Sequence, residues 1–475
     1  MSQSTVTQFT EEQVVVISRK FGEPKWLTDY RLSSLARFRE LPLETSPLYT
    51  KYTGVSAFDP EQFPVKPVEE KIDLRAHFQG HLTGKETNIL LQGNSTTVHV
   101  DLEESVARGG IKLLDIHEAI AKHEPLLREL LLSKRPVDPS KEKYAALNAA
   151  FFNSGTFVHV PPGLSDAALS TVRKMSVVKD PQASVIDLTI LYAEEGSKLN
   201  YLEELYAGTA SGPYLDSTVL DIVAEKGAHI EVSTLQLLDD QTVYLSNKGV
   251  TASSDSKVTL AEILLGSHVT RSRLNVNLDG RGSAFEGYEV FFCDGKQRYD
   301  LESNLIHNSP DSTAALTARG VLKDESQSIF KGMVKINHLA KNSSSYLAHH
   351  AMLLDKRARS DAIPGLDIDT NEVKATHSAS VAQIDDEQVF YLMARGLPQD
   401  EAKKMIIIGF FEPVVSRIPV EFAREGAKFI IEGKWYGERR KLIDRETLIA
   451  LTGEKPSEVK QGGSDIFERH YKYRG

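Results

Sequence analysis

Fourteen histidines stand beside a single cysteine, Cys293, so any metal chemistry in this chain rests mainly on imidazole and carboxylate. His377, in Thr376-His377-Ser378, and the adjacent pair His349-His350 are imidazoles of the kind that could contribute to a metal site. Neighbours on a strand point to opposite faces, so only one of His349 and His350 can share a site with His377. Cys293 follows Val290-Phe291-Phe292 and precedes Asp294-Gly295, the setting of a small buried side chain near a turn. A reactive thiol would need access and a lowered pKa. The chain has no GxxxxGK[ST] phosphate loop, so an energy-coupled step requires an ATPase in trans and no nucleotide is expected on the chain itself. It also lacks a G-x-S-x-G elbow and an H-E-x-x-H pair, and it reads as a non-enzyme.

These side chains must be carried by a β-rich middle. Apolar–polar alternation predicts strands at 157–160, 186–191, 199–202, 219–223, 229–232, 258–263, 274–278 and 285–291. Similar turns separate them, and their small residues at 197, 228, 256, 283 and 312 are spaced by 31, 28, 27 and 29 positions. A unit of one turn and strand cannot bury its own apolar face. Stacked units can, so the spacing points to a β-helix or another solenoid; a sandwich with evenly spaced strands is the alternative.

Helices flank this core. Pro24–Leu41 is apolar on one face, with Arg31 and Arg37 intruding; a loop-like stretch follows to Pro67. A second helical region, Asp115–Leu132, is broken near Pro125, and a short helix covers Tyr144–Phe152. Helices return at Asp385–Arg395, Glu401–Ile418 with a break or kink at Pro413, and Val420–Ile431. The expected organisation is a helical and mixed region at 1–155, a β-helix core at 156–365, a helical partner-docking domain at 366–435 and an extension at 436–475.

The formal charge of −10 argues against a general nucleic-acid binder, and no apolar run suffices for a membrane helix. A polar N-terminus and the lone cysteine fit a reducing cytoplasm.

Three stretches resemble the SufB/SufD family of iron–sulfur cluster assembly proteins. They are Glu23-Pro24-Lys25-Trp26-Leu27 with Tyr30-Arg31-Leu32, then Ala146–Phe152 with Gly155, Phe157-Val158 and Val160-Pro161. The third, Val373–Val381 with Asp385–Leu392 and Arg395-Gly396-Leu397, is the most specific. Phe330–Ile336 is similar to a further family segment, and the resemblance spans about 23–435. It implies a long β-helix between helical regions, a SufB-like subunit or a second copy as partner, and a SufC-like ATPase docked on the stretch from Phe390 to about Glu421. It also implies that His377 lies at the partner interface and is involved in building a cluster, or in holding iron, shared with the partner. Where relatives often carry cysteine this chain has Ala375, and Thr376 and Ser378 stand where the SufB pattern has glutamates. The SufB cysteine falls at or beside His350. The resemblance is therefore closest to SufD, an accessory scaffold. The alternatives are a SufB-like scaffold with atypical ligands, a solenoid adaptor without metal chemistry, and a β-helix carbohydrate-active enzyme, for which two tryptophans and no repeated acidic pair are poor equipment.

Overall fold

The recurrent turns set the architecture. Gly196, Gly227, Asp255, Gly282, Asp311 and Asn342 all have positive φ, between 57° and 69°, and each precedes a buried small residue. Glycine adopts this conformation freely, and aspartate and asparagine tolerate it. The next residue is usually serine, and the hydroxyls of Ser197, Ser256, Ser283 and Ser312 each donate to the carbonyl three residues earlier, at 2.6–2.9 Å. The 27–31-residue spacing is one circuit of the coil.

The computed structural model describes residues 9–44, 60, 63–65, 72–78, 82, 86–165, 171–179, 181, 183–208 and 212–437. Most of the expected loop at 42–67, and nearly all of the extension from 436, lie outside them. The amino-terminal region contains α1 (Glu11–Lys20), α2 (Lys25–Glu40) and α3 (Leu74–His77). The hairpin β1 (Ile89–Gly93) and β2 (Thr96–Asp101) follows, then α4 (Glu104–Arg108) and β3 (Lys112–Asp115). Helices α5 (Ile116–Lys122), α6 (Glu124–Leu132) and α7 (Lys143–Phe151) lead into the coil. Its first half comprises β4 (Ser154–Val160), β5 (Thr171–Val178), β6 (Val185–Ala193), β7 (Lys198–Ala207), β8 (Tyr214–Ala224), β9 (His229–Leu237), β10 (Thr242–Ala252) and β11 (Lys257–Leu264). The second half comprises β12 (Val269–Leu278), β13 (Ala284–Cys293), β14 (Arg298–His307), β15 (Thr313–Leu322), β16 (Gln327–Ile336), β17 (Ser344–Leu353), β18 (Arg359–Ile368) and β19 (Lys374–Gln383). The chain then forms α8 (Asp386–Ala394), α9 (Gln399–Val415) and α10 (Glu421–Trp435).

Strands β4 to β19 alternate between two parallel sheets, eight in each, so the core is a β-solenoid of about eight turns. The odd-numbered sheet continues into β1 and β2, and the even-numbered sheet into β3. Successive turns are in register: Thr234, Glu262, Glu289, Ala318 and His349 stack in one row. The lumen between the sheets is filled mainly by Leu, Val, Ile, Tyr and Phe, Cys293 among them. Some polar groups in it pair with one another, as where the Lys174 ammonium meets Asp187 at 2.5 Å and Glu203 at 3.1 Å.

Helices cover the outer faces. α2, α7 and their neighbours pack on the even-numbered sheet through Leu27, Leu35, Leu147 and Phe151 against Leu188, Val219 and Leu245. α9 and α10 lie on the odd-numbered sheet, with Ile407, Phe411, Ala423 and Ile431 against Leu235, Ile263 and Phe292. The ammonium of Lys434, buried beneath α10, donates to the carbonyl of Leu265 at 2.7 Å and pairs with Asp294 at 3.2 Å.

Some local expectations differ from the structure. The core does not end at 365: β18 runs to Ile368 and β19 spans Lys374–Gln383. β19 carries Ala, Ser and Thr instead of bulky alternating side chains, because a final turn has no layer above it to fill. The break expected near Pro125 is present, between α5 and α6, and Pro125 itself sits in the first turn of α6, where its missing N–H costs nothing. Helix α1, unexpected from its Val-Val-Val run, is capped by Thr10, which accepts from the Gln13 amide at 3.2 Å.

Arg31, an intruder on an apolar helix face in the sequence, is fully buried and ion-paired with Glu23 at 2.6 Å. Its guanidinium also donates to the carbonyls of Ala150 and Phe152 at 3.2 and 3.0 Å. Burial alone would raise the Glu23 pKa, but Arg31, assisted by His117, lowers it from 4.5 to about 2. Because the folded value lies below the unfolded one, this stabilisation is complete above about pH 4.5 and is lost as the pH falls toward 2. Arg31→Met strands the carboxylate and is expected to cost about 3–5 kcal/mol at pH 7. Urea unfolding at pH 7 and at pH 3 checks this, with the deficit smaller at pH 3.

Candidate functional site

A parallel coil pairs every strand except those of its last turn. β18 and β19 are the terminal strands of the two sheets, and among the described residues neither has a partner on its outer edge. α9 and α10 fold back along the side of the solenoid and leave this end open. Leu366 and Ile368, in register with the lumen residues Val334 and Ile336, are 42% and 39% exposed. Val381, in register with Ala351, is 39% exposed. Two unpaired edges flank an apolar floor.

His377 lies on this end surface. Its register partner one turn below is Leu347, a buried lumen residue, so His377 occupies the lumen row and is exposed only because no further turn covers it. Ala375, in the same row, packs against the lumen core. The pair His349-His350 divides as strand geometry requires. His349 enters the lumen, on the same side as His377, and is fully buried. Its ring stacks on Phe330 with centroids 4.5 Å apart, and neither ring nitrogen has a hydrogen-bond partner. Burial, with a smaller contribution from His350, lowers its pKa from 6.5 to about 3. His350 faces outward, where its Nδ1 lies 2.7 Å from the Ser380 hydroxyl; burial and then Arg319 lower its pKa.

Cys293 is fully buried in the lumen, and burial pushes its thiol well above the ordinary value despite nearby Lys434. It is not placed to act as a surface nucleophile or ligand. Among the described residues, no three His, Cys, Asp or Glu side chains converge on one point as a ready metal site. The end surface offers one accessible imidazole, with His349 one turn beneath.

Residues 176–410, from β5 into α9, match the family model of the SUF system FeS cluster assembly SufBD core domain. The chain belongs to the SufBD family. It is 28% identical over 445 residues to an iron–sulfur cluster assembly SufBD family protein of Staphylococcus epidermidis, covering 89% of this chain and 93% of the relative. A protein of the same description from Staphylococcus aureus is 27% identical over the same shares. This SufBD protein therefore has relatives described as iron–sulfur cluster assembly proteins along nearly their whole length.

The SufBD core also presents a second surface. On α8 only Val389 is buried, while Phe390, Tyr391 and Met393 are exposed, as is Met405 on α9. Large apolar side chains grouped in this way mark a contact face. The end-surface residues Leu366, Ile368 and Val381 escaped the sequence reading. The Leu366-Asp367-Ile368 alternation was the available signal, but alternation marks a strand and does not tell whether another strand lies above it.

The neutrality of His349 has a measurable consequence. Below about pH 6.5 the unfolded chain takes up a proton on this residue that the folded chain refuses until about pH 3, so stability falls with acidity across that window. His349→Phe preserves the ring stack and removes this share. Unfolding free energies from urea titrations between pH 7 and pH 5 are expected to fall less for the variant, by about 1.4 kcal/mol per pH unit below 6.5.

Proposed function

We propose that this chain is a SufD-like, non-catalytic scaffold subunit of a cytoplasmic SUF complex. Its open solenoid end pairs with a SufB-like subunit, or with a second copy of itself, and α8–α9 dock a SufC-like ATPase. The observation that carries the reading is the uncovered last turn, which sets His377 between two unpaired strand edges above an apolar floor. Strand edges are completed by another strand, and exposed Leu, Ile and Val are covered by apolar partners. A cluster or iron assembled there would be cargo shared across the interface. His377 supplies a nitrogen ligand and the partner supplies thiolates, the softer ligands that iron–sulfur clusters favour. With Ala375, Thr376 and Ser378 around His377 and the only cysteine buried in the lumen, a SufD-like role suits the chain better than a SufB-like one. The ATPase provides the nucleotide chemistry for which this chain has no phosphate loop.

Co-expression with SufB-like and SufC-like subunits, followed by pull-down under reducing conditions, tests the assembly. Leu366→Asp with Val381→Asp is expected to weaken capture of the SufB-like subunit at least tenfold, with retention of the SufC-like subunit and of the melting temperature. His377→Ala is expected to keep the complex and lose cluster formation, read by visible absorption after anaerobic reconstitution. A stable cluster on the isolated chain would favour the SufB-like reading.

A further inference from the structure

The outer face of the odd-numbered sheet carries a charge that the fold leaves unanswered. Arg319 of β15, His350 of β17 and Ser380 of β19 are in register and form one row across the last three strands of that sheet. The half-buried Arg319 guanidinium is pinned on one side by α9. Its Nη1 donates to the Phe410 carbonyl, and the Phe410 ring centroid lies 5.0 Å away. His350 comes next in the row with its Nδ1 turned to Ser380, and Tyr346, on the same face of β17, is exposed.

Arg319 lacks what other enclosed arginines have. Arg31 meets Glu23, Arg135 meets Asp221 and Arg173 meets Glu204, all at 2.6–2.9 Å. Among the described residues no carboxylate lies within ion-pairing distance of Arg319, although the chain has 66 acidic residues against 56 basic ones. Burial lowers its pKa, and the Tyr346 phenol is the one titratable group that acts in the opposite direction. A partly enclosed cation without a counter-charge costs free energy that a bound anion returns. The shape of the vacancy is also set. With Nη1 committed to Phe410, the remaining edge of the guanidinium is Nε and Nη2; Nε is buried without an acceptor, and Nη2 reaches the surface with none. Two parallel N–H groups of this kind match a pair of oxygens on a carboxylate or a phosphate.

We propose that Arg319, with Tyr346 and His350 beside it, is a receptor for one oxyanion group, a carboxylate or a phosphate, gripped by the Nε–Nη2 edge and by the Tyr346 hydroxyl. The group is either a free ion or an acidic side chain of a subunit bound at this end of the solenoid. The receptor rests on Arg319 itself and does not depend on the identity of that subunit.

The test uses the full chain, titrated with sodium phosphate or sodium acetate at constant ionic strength and followed by thermal unfolding. General salt stabilisation rises without saturating, whereas a site-bound ion adds a rise in melting temperature that levels off. A saturating rise is expected for the native chain, with loss of it in Arg319→Met. Arg319→Lys, which keeps the charge and loses the two-pronged edge, is expected to raise the half-saturating concentration at least fivefold. Tyr346→Phe, at an exposed position, is expected to raise it at least twofold; with Arg319→Lys it carries the test if Arg319→Met unfolds. Pull-down with SufB-like and SufC-like subunits then separates the two sources. A subunit carboxylate in the site makes Arg319→Met lose capture of that subunit at least tenfold, and a free ion leaves capture unchanged. Absence of a saturating rise with either salt overturns the proposal, as does a rise that persists unchanged in the Arg319 variants.

Discussion

In a parallel β-coil each strand satisfies its backbone by pairing with the turns before and after it, and the last turn has no successor. Everything distinctive in this molecule follows from where that deficit is left and how it is managed. At the carboxy-terminal end, among the described residues, β18 and β19 have no partner on their outer edges, and the lumen row surfaces as Leu366, Ile368, Val381 and His377. A solenoid that worked alone would be expected to cap such an end. Here three further helices follow among the described residues, and α9 and α10 are spent on the flank of the odd-numbered sheet.

The register that stacks the coil also assigns the histidines their roles. Because successive turns superpose residue on residue, Leu347 below His377 places that imidazole on the lumen side. The same rule buries His349 beneath it and turns His350 outward. One histidine is accessible, one is held neutral against Phe330, and one hydrogen-bonds Ser380 on the flank. Their sequence neighbourhoods do not distinguish them; their position relative to the end of the coil does.

Buried charge is handled with comparable economy. Glu23 and Arg31 join the first helical segment to the residues that enter the coil, and the guanidinium reaches the carbonyls of Ala150 and Phe152. Glu23 also faces Nδ1 of His117 at 3.5 Å.

The sequence by itself determined the solenoid, because a 27–31-residue recurrence of turn and small residue is a local signal that reflects a repeated local geometry. It also determined the flanking helices, through their apolar periodicity, and singled out His377 through a motif shared with the SufBD family. It did not determine where the coil stops: Lys374–Gln383 lacks the bulky alternation of an interior strand, since nothing packs above it. Nor did it show that α9 and α10 lie along the side, that His349 instead of His350 shares the lumen row, or that Arg31 is buried. Those are decisions of tertiary structure. Each depends on contacts between residues distant in the chain, about thirty positions between adjacent turns and more than a hundred between Arg31 and its carbonyl partners, and no local pattern records them.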